Sequence, residues 1–291
     1  MNELEAVIRV NTSSLLGEGP VWFDKALWWV DIEGKRLLSW DGHAEEPDVF
    51  DLPERIGFAV PTRQSDWLLG LQSGIHSWTP GSGEPKRLAT PEPEERQNRF
   101  NDGKCDPQGR LWAGTMSMNE LAGMAALYRM DSRKSITRVL GEITTSNGLC
   151  WDLDTSTMYY IDSPTRRVSA FRFDPQSGEI RNRRTIYRVP DGKGFPDGMT
   201  IDSKGTLWIA LWGGSSVLNL DPASGAVLRT VKVPARNVTS CAFGGDDLET
   251  LFITSASIGL TDDEKEAFPD SGKVFSVRPG VRGLPTVPFQ D

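Results

Sequence analysis

Four polar residues stand directly before a glycine at the head of a β-rich stretch: Glu18 in LGEGPVW, Asp102 in RFNDGK, Asn147 in TTSNGLCWD and Asp197 in FPDGMTID. Carboxylates and a carboxamide are hard oxygen donors of the kind that hold calcium, magnesium or manganese. Gathered together, they would repel one another unless protons or a cation compensated them, and a divalent metal is the simplest compensation. Histidine chemistry is poorly supplied. The chain has two histidines, His43 in a polar turn and His76 on an expected strand, so a Ser-His-Asp or Cys-His nucleophile or a histidine-ligated zinc site lacks its parts. Acid and base work falls to carboxylates, the metal or water.

An internal repeat gives the reason to expect these residues to meet. In GFPDGMTIDSKGTLWIALW, Gly198 to Asp202 reads as a short strand, Ser203-Lys204-Gly205 as a tight turn and Thr206 to Leu211 as a second strand. Five relatives of this hairpin begin at Gly19, Gly57, Gly103, Gly148 and Cys241, with second strands opening at Trp28, Trp67, Leu111, Met158, Leu207 and Leu251. The steps between them are 39, 44, 47, 49 and 44 residues. Each is followed by a further strand, as in RLLSWD, GIHSWTP, ALYRMD, RVSAFRFDP, SVLNLDP and KVFSV. Steps of this size with several strands apiece predict an all-β fold, a six-bladed β-propeller of four-stranded antiparallel blades around a central channel. The β-rich segment Glu5 to Asn11 is expected to close the ring against the last blade and remove a free sheet edge.

Overlaying the repeats puts Glu18, Ile56, Asp102, Asn147, Asp197 and Ser240 at the equivalent position, just ahead of each innermost strand. A propeller carries equivalent positions to equivalent places about its axis, so these residues should converge near one mouth of the channel. The loop before the third blade, PEPEERQNRFNDGK, combines an acidic, solvated part with a dense tail of Arg99, Asn101, Asp102 and Lys104, and loops at propeller mouths are where binding groups are placed. Residues 117–124 form a loop long enough to act as a lid. The acidic loop SIGLTDDEKEAFPDSG of the last blade reads as solvated surface, helical in its middle. Trp67 and Trp78 read as sheet packing, and the three cysteines, Cys105, Cys150 and Cys241, as buried thiols in a reducing compartment.

The 291 residues contain no Pro- or Ser-rich linker, which favours one domain over 1–291, and 38% hydrophobic content suffices for a large core. A net charge of −8 argues against nucleic acid or an anionic membrane as partner. With no apolar run of membrane-span length and no basic stretch followed by an apolar core in residues 1–10, a cytoplasmic location is expected.

The motifs LGEGPVW, RFNDGKCDPQGRLWAGTM, SNGLCWD, YYIDS, FPDGMTID and LWIALWGG, in this order and across nearly the whole chain, resemble the gluconolactonase, regucalcin and luciferin-regenerating-enzyme family. The resemblance implies one divalent cation in the channel, held by Glu18, Asn147 and Asp197, with Arg99 and Asn101 contacting substrate or water. Asp102, which the repeat overlay favours at the same place, is kept as a candidate behind these contacts. Where animal members of the family place an acidic pair after the GTM motif, this chain has Ser117-Met118-Asn119-Glu120, so Asn119 and Glu120 are the candidates for holding the sugar there. The implied activity is hydrolysis of a sugar lactone, such as a gluconolactone or pentonolactone, to the aldonic acid. Asp197 would act as general base, with calcium the favoured ion and zinc, manganese, magnesium or iron as alternatives. Two other readings stand beside it: a phosphotriesterase of the same metal-propeller type, and a calcium-binding propeller without catalysis.

Overall fold

The computed structural model describes residues 2–92, 94 and 97–291; part of the acidic segment expected to be solvated, at 93, 95 and 96, lies outside the described residues. Six sheets, each built on four antiparallel strands, stand around an axis as the repeat predicts. Their innermost strands are Gly17–Phe23, Ile56–Pro61, Asn98–Cys105, Ser146–Asp152, Phe195–Ile201 and Asn237–Gly244. The second strands, Ala26–Asp31, Trp67–Leu71, Leu111–Ser117, Thr157–Asp162, Leu207–Trp212 and Thr250–Ala256, are almost wholly buried, because each is covered on both faces by neighbouring blades.

The hairpin joining the first two strands has a chemical cause in two of the blades. In DPQGRLW, Asp106 Oδ1 accepts from the backbone of Gln108 (2.9 Å) and Arg110 (3.1 Å), while Oδ2 accepts from the Trp112 indole at 3.0 Å. DSKGTLW repeats the device: Asp202 accepts from Lys204 N (2.9 Å), Thr206 N (3.0 Å) and Trp208 Nε1 (2.9 Å). A turn aspartate thus folds its own hairpin and satisfies the indole of a fully buried tryptophan. Trp67 and Trp78 are core residues as expected, 3% and 7% exposed. His76 is also buried, its Nδ1 lying 3.1 Å from Gly74 O.

Ring closure uses two N-terminal strands, where the sequence pattern suggests one. Val7–Val10 is the outermost strand of blade six, antiparallel to Val274–Val277. Asn2–Glu5 instead adds a fifth strand to blade five, parallel to Val227–Lys232. Ala6, between them, is 6% exposed and belongs to the core shared by those blades. The acidic loop of the last blade is helical at Asp262–Ala267, opened by a Thr261–Glu264 capping box. Among the described residues no helix is long and apolar enough to cross a membrane.

Candidate metal centre

The sequence places the aligned polar residues just before the innermost strands; the structure places them inside those strands, at a bulge. Phe100 pairs with Thr115 and Gly103 with Ala113, so Asn101 and Asp102 together stand opposite one residue. The same extra residue occurs in blade four, between Ser146 and Leu149, and in blade five, between Pro196 and Met199. Blades one, two and six carry register shifts at the corresponding places, after Glu18, Ile56 and Val238. A bulge bends its strand and re-aims a side chain. It accompanies the polar residues Glu18, Asp102, Asn147 and Asp197 in blades one, three, four and five, while blade two carries apolar Ile56 at that place.

The glycine that follows has an equally local reason. A Cβ on Gly148 would sit 2.6 Å from Asp197 O on the next blade's inner strand. Only a residue without a side chain lets the two backbones approach this closely near the axis.

Glu18, Asp102, Asn147 and Asp197 are all brought to this ring and are 6%, 7%, 4% and 6% exposed. Burial, and then the neighbouring Asp102, pushes the Glu18 carboxyl up to about 8, against a 2.6 Å bond that it accepts from Gly19 N. Asp197 is driven well above the usual carboxylate range by burial, Glu18 and Asp102, with the Asn147 amide and Arg99 pulling the other way. Burial raises Asp102 as well. Lys104, half-buried, extends to the innermost strand of blade five, donating to Met199 O at 3.0 Å, and lowers both Glu18 and Asp102. Three buried carboxylates therefore face two cationic side chains, Arg99 and Lys104.

Asn147 supplies the most telling detail. Its Nδ2 donates to Ser163 Oγ (2.9 Å), which itself donates to Pro196 O (2.6 Å). The amide orientation is thereby fixed, and Oδ1 is left buried without a hydrogen-bond partner among the described residues. A buried acceptor with no donor costs about 1–3 kcal/mol unless something outside the chain satisfies it. A hard cation between this oxygen and the Glu18 and Asp197 carboxylates would satisfy it and offset the carboxylate repulsion, so the donor set fits a divalent metal. No group of three or more His, Cys, Asp or Glu among the described residues is placed to hold a metal ion; the candidate set relies on an amide in the third position.

Arg99 and Asn101 flank this set. Arg99 Nη1 donates to Phe100 O (2.9 Å) and Asn101 Oδ1 (2.7 Å), and Asn101 Nδ2 donates to Ser146 O (2.8 Å). Burial lowers the Arg99 guanidinium to about 10. Asn119 and Glu120 are not brought in. Both are exposed on the 117–124 loop, Asn119 donates to Gln97 Oε1 at 3.2 Å, and Glu120 adopts a left-handed backbone with φ 54°. The sequence reading includes Lys104 in the dense tail of the third-blade loop and gives Ser163 no role in the site. Ser163 lies 16 positions beyond the amide it orients, and nothing in its own neighbourhood signals that contact. The three cysteines are free and buried, and burial raises Cys150 and Cys241 to about 12, so they are inert as nucleophiles.

Residues 16–257 match the family model described as "SMP-30/Gluconolactonase/LRE-like region". The chain is 38% identical over 288 residues to "Putative sugar lactone lactonase YvrE" of Bacillus subtilis (strain 168), covering 98% of this chain and 99% of that one. It is 39% identical over 293 residues to regucalcin of Danio rerio, covering 98% of each. Among solved structures, a calcium-binding protein, regucalcin, from Agrobacterium tumefaciens superposes with a TM-score of 0.94 at 27% identity, all of both chains being covered. Fold and similarity agree, and the chain belongs to the SMP-30/gluconolactonase/LRE-like family.

Proposed function

We propose that the protein is a divalent-metal-dependent hydrolase that opens a sugar lactone to its aldonic acid. The observation that carries this reading is the unpartnered Asn147 Oδ1 beside two buried carboxylates of raised pKa. The similarity to a protein named for lactonase activity supplies the substrate class. The calcium-binding name of the Agrobacterium relative favours calcium as the bound ion, while oxygen donors also accept manganese, magnesium, zinc or ferrous iron.

Glu18, Asn147 and Asp197 would hold the metal, which when bound supplies Lewis-acid polarisation of the lactone carbonyl. Asp197 takes the proton of the attacking water and returns it to the ring oxygen as the C–O bond breaks. Arg99 donates to a sugar hydroxyl or the carbonyl oxygen, held in place by Phe100 O and the Asn101 side chain. Asn101, tied to Ser146 O on blade four, fixes the guanidinium and completes the wall facing the ligand.

Asp197→Asn is expected to lower lactone turnover by at least about 10²-fold, with unchanged circular dichroism, when acid release is followed by pH indicator. A near-normal rate would remove Asp197 from the chemistry.

A further inference from the structure

A cleft of about 630 Å³ opens between blades two and three, lined in part by Glu54, Gln72, Ser73, Arg87, Glu92 and Arg99. It lies at the same end of the propeller as the carboxylate ring: Glu54 precedes the innermost strand of blade two, Ser73 is in the turn before Gly74–Trp78, and Arg99 opens the innermost strand of blade three. Arg99 is common to both places. It forms one wall of the cleft, while its charge acts on Asp197 and Glu18.

The cleft's polar groups are held, not loose. Ser73 donates to Glu54 through its backbone N (2.9 Å) and Oγ (2.5 Å). Glu92 accepts from Asn98 Nδ2 (3.0 Å), Thr115 Oγ1 (2.9 Å) and Tyr128 OH (2.9 Å). An ionised carboxylate has about four acceptor sites, so each retains capacity to accept from a ligand. The exposed Arg87 side chain has no hydrogen bond to a described residue, and the Gln72 side chain only accepts from Arg55 Nη1, at a long 3.5 Å. Donors and acceptors are thus offered side by side. That pattern suits hydroxyl groups, which both donate and accept. It suits a purely anionic ligand poorly, because two carboxylates share the cleft. A site of this volume lies in the range that encloses a drug-sized ligand, more than one lactone ring seated at the carboxylates would fill.

We infer that this cleft is a subsite for the hydroxyls of a second sugar residue, and so admits lactones extended beyond the single ring seated at the carboxylates. The inference rests on the lactonase reading for what lies at the ring, but the cleft's own binding is testable without turnover.

The test compares glucono-1,5-lactone with the lactone of cellobionic acid, using the metal-loaded protein and its Arg87→Ala and Gln72→Ala variants, with melting temperatures as the folding control. Both variants should leave the single-ring lactone unchanged and raise KM for the two-ring lactone about tenfold, the worth of a hydrogen bond to a charged or well-held group. Equal effects on both lactones, or none on either, would overturn the subsite. Calorimetric titration with cellobionate separates the two claims. If the wild type hydrolyses neither lactone, the lactonase reading falls, while cellobionate binding that weakens in Arg87→Ala still supports the cleft. Absence of cellobionate binding overturns the cleft whatever the lactones do.

Discussion

At the scale of single residues, the burial that makes the ring reactive also makes it costly. Glu18 has its pKa raised from 4.5 to about 8 in the folded chain. Between those values the folded state binds the proton more tightly than the unfolded state. Its contribution to stability is therefore fully present below about pH 4.5 and is lost as pH rises through about 8. Metal-free protein should melt at progressively lower temperature from pH 5 to 8, and Glu18→Gln should flatten that decline. A divalent cation should raise the melting temperature more at pH 8 than at pH 5, because it competes with protons for the same oxygens. Scanning fluorimetry across pH with and without metal checks the sign; a metal-free profile that rises over this interval contradicts it. The convergence of Glu18, Asp102, Asn147 and Asp197 was legible in the sequence because each precedes a glycine in a repeated hairpin. The choice between Asn101 and Asp102 was not, and the bulge explains why. With two residues opposite one, both reach the interior, 8% and 7% exposed, and a linear overlay of repeats has no term for the extra residue. Ser163 was invisible for another reason, being a long-range partner whose role exists only once blade four has folded.

At the scale of elements, the innermost strands are short-range inventions whose spacing is set by glycine. The aligned glycine marks the repeat in the sequence, but its cause is an inter-blade contact that no single hairpin reveals. Gly148→Ala would place a methyl carbon 2.6 Å from both Asp197 O and Met199 Cβ. Relief requires the inner strand of blade five to move, and overpacking of this kind costs about 1–3 kcal/mol. The variant should unfold at lower denaturant by that amount and lose turnover beyond what its stability explains, because the strand that moves carries Asp197. Unaltered stability would show that the strands have slack. The hairpin turns, by contrast, were readable directly. Asp106 and Asp202 look like the ring carboxylates in composition, yet each is spent on its own turn and on a tryptophan indole.

At the scale of the whole molecule, six blades must be locked into a ring, and the chain does so with its first ten residues. The sequence pattern of residues 5–11 disclosed a closing strand. The preceding strand was missed because its four residues acquire their meaning from Val227–Lys232, more than two hundred positions away. Removal of residues 1–10 should leave the Val274–Val277 edge open, lowering the melting temperature and promoting association through that edge. Removal of residues 1–5 alone should cost less, because blade six keeps its four strands and the Glu3–Lys232 pair lies at the surface. Thermal melts of the two truncations, with light scattering, test the order; equal effects would contradict it.

The ring, the channel and the family meet in one claim, that a divalent cation on Glu18, Asn147 and Asp197 enables lactone hydrolysis. The direct measurement is acid release from a panel of pentono- and hexonolactones by metal-stripped protein, before and after calcium, manganese, magnesium or zinc is restored, with spontaneous hydrolysis subtracted. The account predicts negligible turnover without metal and recovery with at least one cation, for at least one lactone. A protein that binds metal and still opens none of them faster than buffer would contradict it.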